Sequence, residues 1–170
     1  YLEDFLTHES LIIPLSQSGE TIDVIEPLTR AKKKQSTIMS LVNVLGSTLY
    51  RMGDYKLLLG AGPEKAVAST KAYIAKIAIL MLLSYAIIDQ QKTAKEILLK
   101  TAKEVDRLLE KGSINNIKKL ATLLAQKNHI YIIGRGVSYA TALDGALKIK
   151  EVSYIPTEGL AGGEFKHGTI

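Results

Sequence analysis

The sequence predicts an α/β fold in which helices cover parallel strands. One pattern occurs twice, because an apolar strand, a turn rich in Gly and Ser and a helix follow each other at residues 11–34 and again at 129–152. Repeated strand–helix units favour a parallel sheet that binds ligands at the carboxyl ends of its strands. The length agrees, since 170 residues with 46% hydrophobic side chains can bury a core.

The first half of the chain alternates strand and helix signals. Apolar runs predict buried strands at residues 11–15, 37–42 and 55–59. A helix is expected between the first two strands, closed by Lys32, Lys33 and Lys34 at the negative end of its dipole. A loop with Asn43 and Gly46 separates the last two strands.

Pro63 and Glu64 suit the start of a long helix that runs through Ile88. Since this helix is apolar nearly all round after Ile77, we expect it to be buried against a sheet, a second domain or another subunit.

The second half begins with helices. Residues 92–110 predict an amphipathic helix, Gly112 its stop, and Ser113 the cap of another helix through Gln126. A strand at 129–133, a turn at 134–139 and a helix at 140–152 follow, and they repeat the strand–turn–helix pattern. The turn contains Gly134 and Gly136 but not the third glycine of a dinucleotide site, which makes that kind of site improbable.

Composition excludes several classes of function. The chain has no Cys, which rules out disulfides, Cys-ligated zinc, iron–sulfur clusters and thiol nucleophiles. No two His or carboxylate residues show metal-ligand spacing with a third nearby, so neither a metal nor a cofactor is expected. The net charge of +5 comes largely from scattered Lys, whereas nucleic-acid binding favours clustered Arg and aromatic platforms. No nucleic-acid partner is therefore expected.

No membrane span is predicted either. The longest uncharged apolar run, residues 77–88, is shorter than the roughly 20 residues that cross a bilayer. No signal peptide is recognised at Tyr1, and we expect a soluble cytoplasmic protein.

A candidate phosphate site follows the first predicted strand. Ser16, Ser18 and Thr21 offer hydroxyls at the start of a helix, and Gly19 allows a ligand to approach the backbone. The alternative is that Ser18 only caps the helix. No Gly-Lys-Ser/Thr follows, so the segment is not a P-loop.

A candidate proton-transfer site lies near the end of the chain. Lys148 and Glu151 share one face of a helix because they are three residues apart. On spacing alone, a solvated salt bridge is the favoured interpretation. A functional interpretation needs a Glu that moves a proton beside a carbonyl and a His, such as His167, that assists ring opening.

Taken together, these motifs resemble the glutamine–fructose-6-phosphate aminotransferases, the glucosamine-6-phosphate synthases. The turn at 16–21 and the segments 61–64 and 67–72 are similar to the first sugar-isomerase (SIS) domain of that family. Residues 134–154 and 163–168 are similar to the start of the second. The resemblance implies two tandem SIS domains of three-layer αβα, flavodoxin-like architecture. This chain covers part of each, the first with residues 1–90 and the second with residues 91–170.

The resemblance also implies roles for individual residues in binding and isomerising fructose 6-phosphate. The residue matching Glu151 moves the proton between C1 and C2, the one matching Lys148 supports it, and the one matching His167 assists ring opening from the neighbouring subunit of a homodimer. The remaining matches bind the substrate, its phosphate or its sugar: Ser16, Gln17, Ser18, Thr21, Val67 and Ser69.

The departures from the family are informative. The chain lacks the family's glutaminase domain with its Cys nucleophile, so it is expected not to release ammonia from glutamine. Further phosphate contacts are expected before Tyr1 and the Schiff-base Lys beyond Ile170, and Thr169 stands where the family usually has Pro. Two other functions stay open, an SIS deaminase or ketose-phosphate isomerase that uses free ammonia, and a non-catalytic sugar-phosphate sensor.

Overall fold

A computed structural model describes residues 3–168 and divides the chain into two compact units, Tyr1–Leu98 and Leu99–Ile170. Each unit has its own parallel sheet. The α/β class predicted from the repeated strand–helix pattern is therefore confirmed. The domain boundary expected at residue 90 stays a prediction.

The first unit is built on a sheet whose central strand is β3. A short 3-10 turn at Glu3–Phe5 precedes the sheet. The elements that follow are β1 Leu11–Ile12, β2 Leu15–Ser16, α1 Ile22–Lys33, β3 Thr37–Val42, α2 Thr48–Met52, β4 Tyr55–Leu58 and α3 Thr70–Ile87. Both β1 and β2 pair with one side of β3, and β4 pairs with the other, all in parallel. Ser16, Val42 and Leu58 are in register, so the three strands end at the same edge.

Alternation along β3 places one core on each face of this sheet. Ile38 and Val42 pack with Leu28 of α1 and Leu49 of α2, and all four are buried. Leu41 points the other way and packs with residues of α3, including Ala72 and Ile79. Because successive side chains of a strand point to opposite faces, one apolar strand supports helices on both sides. The unit therefore has three layers.

The predicted strand at 11–15 is interrupted. Pro14 has no N–H to donate, and its carbonyl accepts a hydrogen bond from the Leu41 N–H at 3.0 Å instead. The pairing therefore divides into two short strands, β1 and β2, on either side of residues 13–14.

The expected start of the long helix at Pro63 and Glu64 is wrong, because α3 begins at Thr70. Ser69 has a positive φ, which a right-handed helix does not allow, so no helix runs unbroken from Pro63 into α3. The Glu64 carboxylate instead accepts a hydrogen bond from the Ala72 N–H at 3.1 Å. The short helix α2 was not predicted and lies in the expected loop after Asn43.

Helix α3 is the one helix, among residues 3–168, long and apolar enough by composition to cross a membrane. Its inner face packs on β3 and β4 through Ile79, Leu80 and Leu83. Ile74 and Ile87 lie on the outer side and are exposed. Ala72 is the one fully buried residue of α3, so the burial expected for this helix is met only along the face that packs on the sheet.

The second unit contains a two-stranded parallel sheet. The elements are α4 Gln91–Leu108, which begins before the unit boundary, α5 Lys111–Leu124, β5 Ile130–Gly134, α6 Val137–Ser153 and β6 Thr157–Ala161. A side chain at Gly159 would place a Cβ 2.8 Å from the backbone of Leu143. The lack of a side chain there allows α6 to lie close against β6.

Two local expectations in the second unit are wrong. Gly112 and Ser113 do not separate two helices but lie inside α5, which begins after Glu110. Strand β6 was not predicted at all. Its sequence, Thr-Glu-Gly-Leu-Ala, has a weak strand pattern, and the five residues are ordered by pairing in register with β5.

Candidate functional site

The turn at residues 16–21 lies at the carboxyl end of β2, directly before α1. The buried Ser16 side chain holds it closed, because its Oγ accepts a hydrogen bond from the Gly19 N–H at 2.9 Å. The same oxygen lies 3.0 Å from Thr21 Oγ1. Helix α1 follows at once, and a helix N-terminus attracts anions.

Hydrogen bonding within the turn leaves hydroxyl protons for a ligand. Ser18 Oγ accepts a hydrogen bond from the Glu20 N–H at 3.1 Å, so its own proton stays available. Ser16 and Thr21 share one bond between two hydroxyls, which uses one of their two protons. Either oxygen can donate in that bond, so one proton remains on one of the two hydroxyls. The turn therefore has two hydroxyl protons that its own hydrogen bonds do not use, which suits a ligand that only accepts hydrogen bonds, such as a phosphate.

Hydrogen bonds from the start of α2 fix the turn in place. The Thr48 N–H donates to Glu20 Oε1 at 2.7 Å, and the Leu49 N–H donates to the Gly19 carbonyl at 2.9 Å. The pKa of Glu20 is lowered because hydrogen bonds from the side chain and backbone of Thr48 favour the carboxylate. Burial acts in the opposite direction, and the Arg51 charge lowers the pKa further. Sequence reasoning assigned no role to Glu20, whose position in the turn is the only signal for one.

Acid is expected to remove the contribution of Glu20 to stability. Because folding lowers its pKa, the carboxylate stabilises the folded state above the unfolded-state pKa of about 4.3, and this contribution is lost as pH falls through the lower folded-state pKa. Denaturant unfolding of wild type and Glu20→Gln between neutral and acidic pH measures the effect. The wild type is expected to be more stable at neutral pH, with a difference that shrinks in acid. A difference that stays constant with pH would contradict this assignment.

Asn43 joins the turn to the loop between β4 and α3. Its backbone N–H donates to the Gln17 carbonyl at 3.3 Å. Its side chain accepts a hydrogen bond from the Ala61 N–H at 3.0 Å and donates one to the Gly62 carbonyl at 2.7 Å. The sequence placed Asn43 only in a loop. The sequence feature that could have identified Asn43 is its position as a polar residue directly after a buried strand, at the sheet edge where ligands bind.

The loop that Asn43 holds carries the two residues expected to contact the sugar. Val67 is 92% exposed, although its side chain is apolar. Ser69 precedes α3 in a left-handed conformation, with φ of 51°. The turn at 16–21, Asn43 and this loop follow β2, β3 and β4, which end at one edge of the sheet. The first unit therefore collects the predicted binding residues at a single edge.

The second unit holds the three predicted catalytic residues. Lys148 and Glu151 lie in the last turns of α6, and Lys148 Nζ is 2.8 Å from Glu151 Oε2. Their side chains are 24% and 28% exposed, so the pair is partly screened from water but open to a ligand. The two residues therefore form an i,i+3 ion pair on the surface of α6.

His167 lies in the turn segment after β6, and its backbone N–H donates to the Glu164 carbonyl at 2.9 Å. The residue is exposed. Within residues 3–168, no hydrogen bond or ion pair joins it to Lys148 or Glu151. The structure thus brings Lys148 and Glu151 together and leaves His167 facing solvent.

Comparisons with known proteins agree with these motifs. The chain matches the SIS domain family over residues 4–86 and 123–170. It is 44% identical over 184 residues to glutamine–fructose-6-phosphate aminotransferase [isomerizing] of Bacillus licheniformis, matching all of this chain and 29% of that protein. The protein of the same name from Thermococcus kodakarensis is 39% identical over 174 residues, matching 99% of this chain and 29% of that protein. The chain thus spans less than a third of the length of these relatives.

A solved structure shows the same fold. The C-terminal domain of glucosamine-fructose-6-phosphate aminotransferase from Francisella tularensis superposes with a TM-score of 0.83 at 34% identity. The match covers 94% of this chain and 46% of that one.

Proposed function

Because the chain belongs to the SIS domain family, we propose that it forms the sugar-phosphate isomerase part of a glucosamine-6-phosphate synthase. In this proposal it binds fructose 6-phosphate and converts the ketose to an aldose for amino-sugar synthesis. Ammonia comes from glutamine through a domain outside these residues. The observation that carries the proposal is the turn at 16–21, which has two hydroxyl protons not used in its own hydrogen bonds and therefore suits a ligand that accepts them.

The phosphate binds at this turn and the sugar extends towards the loop of residues 60–69. Ser16, Gln17, Ser18 and Thr21 form the phosphate site, in which the Ser16 Oγ holds the turn closed and the turn offers two hydroxyl protons at the start of α1. Val67 and Ser69 contact the sugar. The exposure of the Val67 side chain supports this role, since an apolar group held outward by a braced loop suits contact with a ligand.

Glu151 takes a proton from C1 of the open-chain ketose and returns it to C2. Both steps need a carboxylate beside the carbonyl, and the Lys148 ammonium, 2.8 Å from Glu151 Oε2, holds that carboxylate in place. The same positive charge stabilises negative charge that develops on the sugar oxygens. His167, from the neighbouring subunit, assists ring opening.

We propose a cytoplasmic homodimer. A neighbouring subunit would explain why His167 is exposed in the single chain. It would also cover part of the outer face of α3, where Ile74 and Ile77 are 63% and 48% exposed.

A thermal-shift titration of the complete natural protein tests the proposed substrate. Fructose 6-phosphate is expected to raise the unfolding midpoint, because a ligand at a hundred times its Kd stabilises the folded state by about 2.7 kcal/mol. Ser18→Ala is expected to weaken this shift. Ser84→Ala, which removes a hydroxyl bonded to the Leu80 carbonyl on α3, is the matched control and is expected to leave it unchanged.

Two further ligands serve as controls. Fructose without phosphate is expected to give no shift, and inorganic phosphate a smaller one than the sugar phosphate. A shift with fructose alone, or no shift with fructose 6-phosphate, would contradict the proposal.

A further inference from the structure

The proposed phosphate turn contains a carboxylate. Glu20 lies between Gly19 and Thr21, and its side chain is fully exposed. A carboxylate beside a phosphate dianion repels it, and a residue of this kind would ordinarily weaken an anion site. The question is therefore what the negative charge does in this position.

The contacts of Glu20 direct its charge to α2. Oε1 accepts the Thr48 N–H at 2.7 Å, and the guanidinium of Arg51, one turn further along α2, attracts the carboxylate. Arg51 also donates a hydrogen bond to Thr48 Oγ1 at 3.1 Å. The negative charge is thus bound to donors on α2.

Helix α2 is itself fixed to the core. Leu49 is fully buried, and its carbonyl accepts a hydrogen bond from the buried Ser40 Oγ of β3 at 2.6 Å. The Leu49 N–H holds the Gly19 carbonyl at 2.9 Å. The turn is therefore connected at both Gly19 and Glu20 to a helix that β3 holds in place.

Ser47 shows that this arrangement replaces an ordinary helix cap. A Ser at this position usually accepts a hydrogen bond from the first N–H groups of the helix. Here the Leu49 N–H, the second of the helix, donates to the Gly19 carbonyl instead, and the Thr48 N–H before it donates to Glu20. The Ser47 hydroxyl is buried against Gly19 and, within residues 3–168, has no hydrogen-bond partner. Leaving a buried hydroxyl unpaired destabilises the folded state, and the bonds from α2 to the turn must offset that loss.

We infer that Glu20 is a positioning residue for phosphate binding: its bond to the Thr48 N–H holds the carboxylate on α2, away from the anion, and fixes the turn that presents the hydroxyls. This inference rests on the proposed phosphate site. It assigns α2 a part in ligand binding although α2 supplies no residue that touches the ligand.

Removing the Thr48 N–H tests the inference directly. Thr48 is the first residue of α2, a position that accepts proline, and Ser47 before it has the extended backbone that proline requires. Thr48→Pro therefore deletes the donor while the start of the helix is kept. Thr48→Ala removes the hydroxyl, which also favours the Glu20 carboxylate, but retains the N–H, so the difference between the two variants measures the contribution of the N–H.

Binding of fructose 6-phosphate and of inorganic phosphate is measured by calorimetry on the complete natural protein. Thr48→Pro is expected to weaken both by about tenfold, or ~1.4 kcal/mol, and more than Thr48→Ala does. The loss is expected to shrink at high salt, because exposed charges are screened. Adding Glu20→Gln to Thr48→Pro is expected to restore most of the affinity, since no charge remains to repel the phosphate.

A second pair of variants leaves α2 untouched, in case Thr48→Pro does not fold. Glu20→Asp keeps the charge on a side chain too short to reach the Thr48 N–H, and it is expected to weaken phosphate binding. Glu20→Asn has the same length without the charge and is expected to bind phosphate more tightly than Glu20→Asp.

The outcomes separate this inference from the proposed function. Wild-type protein that binds neither fructose 6-phosphate nor phosphate would overturn the proposed site and the inference with it. Wild-type binding together with equal affinities for the charged and neutral variants of each pair would overturn only the role of Glu20.

Discussion

Replacing Glu151 by Gln in the complete natural protein is expected to lower the rate of fructose 6-phosphate isomerisation by about 10²–10⁴-fold, the usual contribution of a general base. The amide keeps the shape of the side chain but cannot accept the C1 proton. Because Glu151 lies on α6 and the proposed phosphate-binding residues are on another unit, substrate affinity is expected to change much less than the rate. Both quantities come from steady-state conversion of the ketose to the aldose phosphate.

The chain offers a matched control for this substitution. Glu104 and Arg107 on α4 form an ion pair of the same length, 2.8 Å, with the same spacing of three residues. Glu104→Gln removes a helix-surface carboxylate from a similar pair and is expected to leave the rate unchanged. Full activity in Glu151→Gln would make the Lys148–Glu151 pair an ordinary surface salt bridge, which spacing alone favoured.

Gly19→Ala is expected to destabilise the first unit by about 2–5 kcal/mol, the sum of typical costs for overpacking and for a left-handed backbone. A Cβ at Gly19 would lie 2.0 Å from Ser47 Oγ and 2.5 Å from Ser47 Cβ, and the backbone has a φ of 70°. Since the turn must move to admit the methyl group, binding of fructose 6-phosphate is expected to be lost as well. Denaturant unfolding and calorimetric titration measure the two effects.

Gly62 separates the two causes. It has the same φ of 70°, but a Cβ there would meet no atom within 4 Å, so Gly62→Ala carries only the backbone cost, about 1–2 kcal/mol. Adding Ser47→Gly to Gly19→Ala removes both close atoms and is expected to recover the part of the loss that comes from overlap. Equal destabilisation by Gly19→Ala and Gly62→Ala would show that overlap with Ser47 does not contribute to the loss of stability.

The fold class and the position of the turn at 16–21 before a helix could be predicted from the sequence because their signals are local. The apolar run at Thr37–Val42 predicts β3 with its observed bounds. The spacing of Ser16, Ser18 and Thr21 indicates hydroxyls at the start of a helix, and these lie within six residues of one another. Lys148 and Glu151 are likewise three residues apart, so helical geometry alone places them together.

Contacts between distant residues could not be predicted in this way. Glu20 meets Thr48 across 28 residues of sequence, and Asn43 meets Gly62 across 19. The start of α3 also depends on a contact outside the helix, because the Ala72 N–H donates a hydrogen bond to the Glu64 carboxylate. The existence of β6 depends on its pairing with β5. Local propensity carries no information about partners of this kind.

The sequence by itself determined that this protein has parallel strands with helices on them and a turn whose hydroxyls suit a phosphate. Only the tertiary structure decided how that turn is held. Ser47 occupies the space that a side chain at Gly19 would need, and the Glu20 carboxylate accepts a hydrogen bond from α2. The physical reason is the distance along the sequence over which each kind of interaction acts. Strand alternation, helix periodicity and turn chemistry act over a few residues, whereas the donors that fix the turn come from α2, which β3 and its buried Leu49 hold in place.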